Sequence, residues 1–205
     1  MILKISKKNR GISLAEIVVV VGILSFVIVG ITTFQKDIFS LNSSLQGSMN
    51  AQFEGGRVLR LMVGEMRSMS PSAAGSYPIA QAATNTLTFY SDIDNDGSKE
   101  KVRYFLQSGT LKKGVTDPSG SPVGYTGTEK VETLITSVVN STSSPIFSYF
   151  DSSYSGTTSP MSLPINTLSV RLIKILVTID KDTNRPPGPS TVTSQVSLRN
   201  LKDNL

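Results

Sequence analysis

Four carboxylates fall within nine residues of this chain, at Asp92, Asp94, Asp96 and Glu100. The three aspartates alternate and Gly97 follows them. Alternating carboxylates closed by a glycine turn can wrap a hard cation such as calcium. A full calcium loop of about twelve residues also needs a bidentate Glu at its last position. Counted from Asp92, that position is Arg103, so the full loop fails. Glu100 would have to close a shorter one, which leaves Asp92, Asp94, Asp96 and Glu100 as the candidate calcium ligands. Asp, Asn and Gly also favour tight turns. A plain acidic hairpin turn is the simpler expectation for residues 92–100.

Other chemistry is narrowed by what the composition lacks. The 205 residues include no histidine and no cysteine. Without histidine there is no ordinary general base near neutral pH and no imidazole metal ligand. Nucleophilic arrangements that need His or Cys cannot be assembled, disulfides are impossible, and no enzymatic activity is expected. The formal charge is +5, but Lys4, Lys7, Lys8 and Arg10 supply +4 of it, leaving +1 for the remainder. A nucleic-acid interface needs a basic cluster in the folded domain. Only Lys112 and Lys113 stand together there, and these two, with Arg185, read as solvated surface.

Glu16 is the remaining residue of chemical interest. It sits near the start of an apolar run over residues 12–34. As a helix, 23 residues measure about 35 Å, enough for a hydrocarbon core of about 30 Å. Basic residues precede the run, which would keep that end cytoplasmic and export the rest. A carboxylate within such a helix costs roughly 2.5–3.5 kcal/mol at mid-bilayer, less near the end, and it calls for a partner. The run is too long for a cleaved secretory signal, and no small-residue cleavage motif follows it.

Lys8, Asn9, Arg10 and Gly11, then Ile12, Ser13, Leu14, Ala15 and Glu16, then the apolar string from Ile17 to Leu24, resemble the processing segment of type IV prepilins. The resemblance covers about 25 residues. It implies removal of residues 1–11 by a prepilin peptidase between Gly11 and Ile12, and methylation of the new amino terminus at Ile12. It also implies that Glu16, the fifth mature residue, pairs with the terminal amine of a neighbouring subunit. Ile12 and Ala15 depart from the family's usual residues but keep the apolar character.

The helical pattern continues past the run. Phe34, Ile38, Leu41, Leu45, Met49, Phe53, Leu59, Met62, Val63 and Met66 recur mostly at steps of three or four, as an amphipathic helix requires. Pro71 ends it. A helix rich in Ser, Asn and Gly must be held by packing. Gly55, Gly56 and Gly64 would allow a bend or a close approach to a sheet. Residues 70–85 read as a linker. Strands are expected at residues 86–91, 102–106, 146–150, 174–179 and 191–199, with a turn at residues 107–110. Residues 129–139 read as either a short helix or a strand, and residues 114–128, 151–162 and 185–189 as loops. One long helix before several antiparallel strands is an α+β layout, here pilin-like, with the helix packed on an antiparallel sheet. The divisions are a leader (1–11), a membrane and assembly helix (12–34), an amphipathic continuation (35–70) and a β-rich head (71–205).

The order of the acidic hairpin, the string Val102 to Leu106, the strand near Ile179, the proline loop and the string Val196 to Asn200 is similar to the larger minor pilins and pseudopilins, the type II secretion protein J group and the pilus W group. The resemblance implies an assembly subunit of a pilus or secretion pseudopilus, anchored in the inner membrane with its head outside. Its partners would be other pilins. The alternative is a signal-anchored extracytoplasmic binding protein that never assembles.

Overall fold

The structure, a computed structural model, describes residues 11–183 and 188–198. Lys4, Lys7, Lys8 and Arg10 of the expected leader, Arg185 to Pro187 of the expected proline loop, and Arg199 and Asn200 lie outside the described residues. By contacts the chain forms two units, up to Leu45 and from Gln46 onwards.

The first unit is helical. Helix α1 is continuous over Leu14–Arg67, and its apolar residues from Leu14 to Leu45 are exposed. It is long and apolar enough to cross a membrane.

In the second unit the last turns of α1 pack on two antiparallel sheets. The first holds β1 (Ile79–Ala82), β2 (Thr86–Ser91), β3 (Glu100–Gln107), β4 (Thr110–Thr116) and β5 (Lys130–Ile135), in that order. The second holds β6 (Phe147–Phe150), β7 (Leu172–Ile179) and β8 (Ser190–Ser197), again in order. The α+β layout is therefore as expected, with two sheets where one was anticipated. The break falls after β5, where Ser137 takes a left-handed φ of 60°. Asn140 then bonds the Leu176 carbonyl and the Thr178 amide with its side chain, at 2.9 and 2.8 Å. That amide does what a strand would do beside β7. The sheets are joined by Phe147 N–H to the Thr84 carbonyl at 2.9 Å and Val138 N–H to the Gly109 carbonyl at 2.8 Å.

The core lies between helix and sheets. Val58, Leu59, Met62 and Met66 of α1 meet Leu87, Phe89, Val102, Tyr104, Ile173 and Ile175. The buried helical face is Ala51, Gly55, Val58, Leu59, Met62, Val63 and Met66. Met49 and Phe53, expected on it, are instead exposed. Small residues took their place because the helix approaches β7 and β8 closely. A Cβ on Gly55 would lie 2.5 Å from Val192 Cγ2 and 3.1 Å from Ile179 Cδ1. The helix ends against β2. Ser91 Oγ donates to the Glu65 carbonyl at 3.1 Å, satisfying one carbonyl that the last turn leaves open. Ser70 N–H then bonds the Tyr90 carbonyl at 3.1 Å.

Two expectations change. The linker of residues 70–85 contains β1, a strand with weak intrinsic β-propensity that exists by pairing with β2. Residues 129–139, helix or strand on sequence, contain strand β5. The β3–β4 hairpin turns on Ser108 and Gly109, with φ of 49° and 69°, the positive pair a type I′ turn demands.

Candidate functional site

Gly11, Ile12 and Ser13 precede α1 as exposed, non-helical chain. Ser13 is its N-cap: Glu16 N–H donates to Ser13 Oγ at 3.2 Å and to the Ser13 carbonyl at 3.1 Å. Ser13 followed three residues later by Glu16 is the capping-box spacing, a local signal legible in the sequence but missed there. It places the Glu16 carboxylate in the first helical turn, where the macrodipole favours negative charge.

The other polar side chains of residues 14–34 are satisfied within the helix. Ser25 Oγ donates to the Val21 carbonyl at 2.8 Å, Thr32 Oγ1 to Val29 at 2.9 Å, and Thr33 Oγ1 to Val29 and Gly30 at 3.1 and 2.9 Å. Such back-bonding lets hydroxyls sit in lipid. Among the described residues the Glu16 carboxylate has no hydrogen-bond or ion-pair partner. Among the described residues it is the one polar side chain of residues 14–34 without a partner.

The acidic loop gathers three of its four predicted ligands. Asp92, Asp94 and Glu100 each bring a carboxylate oxygen within 4.8 Å of the others, and Asp96 is not one of the group. Asp96 Oδ1 instead accepts Ser98 N–H at 2.7 Å, while Asp94 Oδ1 accepts Asp96 N–H at 3.2 Å. A cation is already supplied: Lys99 Nζ lies 3.1 Å from Asp92 Oδ2, which also accepts Gly97 N–H. The Lys99 hydrogen bond holds the Asp92 carboxyl below its ordinary range. Glu100 is buried and accepts Ile93 N–H at 2.9 Å. Burial, chiefly, pushes its carboxyl upward. Left-handed Asn95 and Gly97 complete the turn, in which Asp92 Oδ1 is buried without a hydrogen-bond partner among the described residues.

Lys113 requires a correction. It is buried, not solvated, and reaches Glu65 of α1 at 2.7 Å, with Glu132 of β5 at 3.8 Å. Tyr104 of β3 donates its hydroxyl to the other Glu65 oxygen at 2.6 Å. Burial, then the Glu65 charge, raises the Tyr104 hydroxyl far above the usual phenol range. This network ties helix to sheet. Glu65 falls among polar helix positions and Lys113 in a paired basic string, so neither announces burial in the sequence. Lys112, on the other face, bonds Gln107 at 3.0 Å as an exposed pair.

No family model matches the chain, and none of the curated proteins matches it.

Proposed function

We propose that this chain is a prepilin-like assembly subunit, a minor pilin or pseudopilin of a type IV pilus or a type II secretion pseudopilus. The observation that carries the reading is Glu16, a carboxylate without a partner among the described residues, in an apolar helix whose other polar groups are internally satisfied. A buried carboxylate without a partner is strongly penalised. Cleavage between Gly11 and Ile12 by a prepilin peptidase would create the matching group, a methylated amine at Ile12 of an adjacent subunit. The helix would anchor the precursor in the inner membrane with its head outside, then leave the bilayer for a bundle of neighbouring helices. The head's size and varied loops favour insertion at or near the filament tip. The subunit needs no cofactor for this role.

Substituting Glu16→Ala in the full chain tests the pairing. The expected result is normal membrane insertion with recovery in the sheared filament fraction reduced at least tenfold. Undiminished recovery would remove the carboxylate's assembly role.

The Ser13 cap favours a second reading. There Glu16 only completes the start of a plain signal anchor, and the head is a binding domain that does not assemble. Ser13→Ala would then weaken the helix start by removing its cap and Glu16→Ala by removing a charge that the macrodipole favours, and neither would change recovery in the filament fraction beyond that.

A further inference from the structure

The first sheet carries a polar cleft of about 520 Å³ on the face turned away from the core. Small-molecule sites run from about 300 to 1,000 Å³. Strand alternation builds the cleft. Strand β3 buries Val102 and Tyr104 on one side and turns Lys101 and Arg103 to the other. Thr88 of β2 stands directly opposite Arg103, and Thr116 of β4 directly opposite Lys101. All four share that face and line the cleft.

Two features set the cleft apart from solvated surface. The first is its hydroxyls. Thr88 and Thr116 are only 3% and 6% exposed. Thr88 Oγ1 is buried without a hydrogen-bond partner, and the Thr116 hydroxyl has none either, among the described residues. Buried polar groups are nearly always bonded, so two idle hydroxyls in one cleft point to a ligand. The second is its charge. Arg103 Nε and Nη2 bond Glu129 Oε1 and Oε2 at 2.8 and 2.5 Å, and the guanidinium lies 3.9 Å from the centre of the Phe105 ring. Gly114, opposite Arg103, makes room for this bridge, since a Cβ there would collide with the Glu129 carboxylate. The Arg103 hydrogen bond, and more weakly the Lys101 charge, hold the Glu129 carboxyl below its ordinary range. The bridge uses both oxygens of Glu129 and leaves Lys101 without a bonded partner among the described residues. Two cations and one carboxylate give the lining a net charge of +1.

We propose that this cleft binds a small hydroxylated carboxylate, the chemistry of a uronic acid. A net charge of +1 matches a singly charged carboxylate better than a doubly charged phosphate. Lys101 takes the carboxylate in a charge-assisted hydrogen bond. The hydroxyls of Thr88 and Thr116 both donate and accept, as sugar hydroxyls require. Gln81 lines the cleft opposite Thr88 and is exposed, so it can turn aside to admit the ligand to that hydroxyl. Arg103, committed to Glu129, stiffens the floor. The inference concerns the head alone and holds whether or not Glu16 serves filament assembly.

Saturation-transfer NMR on the full-length chain in detergent micelles, titrated with glucuronate, tests this. Glucuronate should bind saturably, and glucose, which lacks the carboxylate, about tenfold more weakly, the worth of one charge-assisted hydrogen bond. Lys101→Met should weaken glucuronate binding by a similar factor, while Lys101→Arg keeps the charge and should hold it within a few-fold. Thr116→Val keeps the shape, removes the hydroxyl and should weaken binding several-fold. Melting temperatures of the three variants should stay close to that of the unaltered chain, because neither Lys101 nor the Thr116 hydroxyl bonds a described residue. No saturable binding at tens of millimolar, or equal binding of glucose, would overturn the inference. Unchanged binding in both Lys101→Met and Thr116→Val would overturn it too, by placing the ligand elsewhere. Inorganic phosphate binding more tightly than glucuronate would also overturn it and assign the cleft to phosphate groups.

Discussion

Glu65 and Lys113 bring opposite charges into the head where α1 lies on β3 and β4, with side chains only 11% and 8% exposed. Each would be costly there alone, and the Tyr104 hydroxyl occupies the remaining acceptor. Removing one partner of such a pair costs about 3–5 kcal/mol because the other charge is left uncompensated. Glu65→Ala should therefore lower the free energy of unfolding by about that amount in chemical denaturation. A loss below about 1 kcal/mol would mean that water reaches the network. Glu100 gives a pH prediction. Burial raises its carboxyl in the folded state, so folding takes up a proton between the unfolded and folded pKa values. Stability from this group then falls as pH rises through that window, which begins near the ordinary value of about 4.3. Glu100→Gln keeps an acceptor for Ile93 N–H and should remove that slope, leaving the variant relatively more stable at neutral pH. Denaturation at several pH values reads it, and an unchanged slope would contradict the burial account. The sequence announced the carboxylates of the acidic loop by spacing, but not that Asp96 turns to Ser98. Such choices follow from backbone bonds within the turn, which composition does not specify.

At the scale of elements, the second half of α1 depends on what it lies against. Its sequence places Ser, Asn and Gly among the apolar residues, and only the face from Ala51 to Met66 is buried. Gly55 sets how near the helix comes to Val192 and Ile179. Gly55→Leu should force the helix off β8 and cost roughly 1–3 kcal/mol as overpacking does, whereas Gly64→Ala, where a Cβ meets nothing within 4 Å, should be neutral or slightly stabilising. Thermal unfolding of both variants checks the pair, and equal effects would argue against the close approach. Strands β2, β7 and β8 were legible because β-branched and aromatic residues alternate or cluster there. Strand β1 was not, since Ala80, Gln81 and Ala82 carry no strand preference and take their conformation from β2. Met49 and Phe53 misled for the converse reason: apolar spacing marks a stripe but cannot say where the buried arc begins.

For the molecule as a whole, the α+β layout was legible because a long apolar helical pattern preceded a series of short strands. The division into two sheets was not, because Asn140 and the bonds at Thr84 and Gly109 join segments distant in sequence. The functional reading rests on the first turns of α1, where Ser13 caps the helix and Glu16 stands without a partner among the described residues. The most direct measurement is intact mass with N-terminal peptide mapping of the protein from its native membrane. The account predicts a mature chain that begins at a methylated Ile12. A chain that keeps Met1 to Gly11 in a host with active prepilin peptidase would contradict it and leave the plain signal anchor in its place.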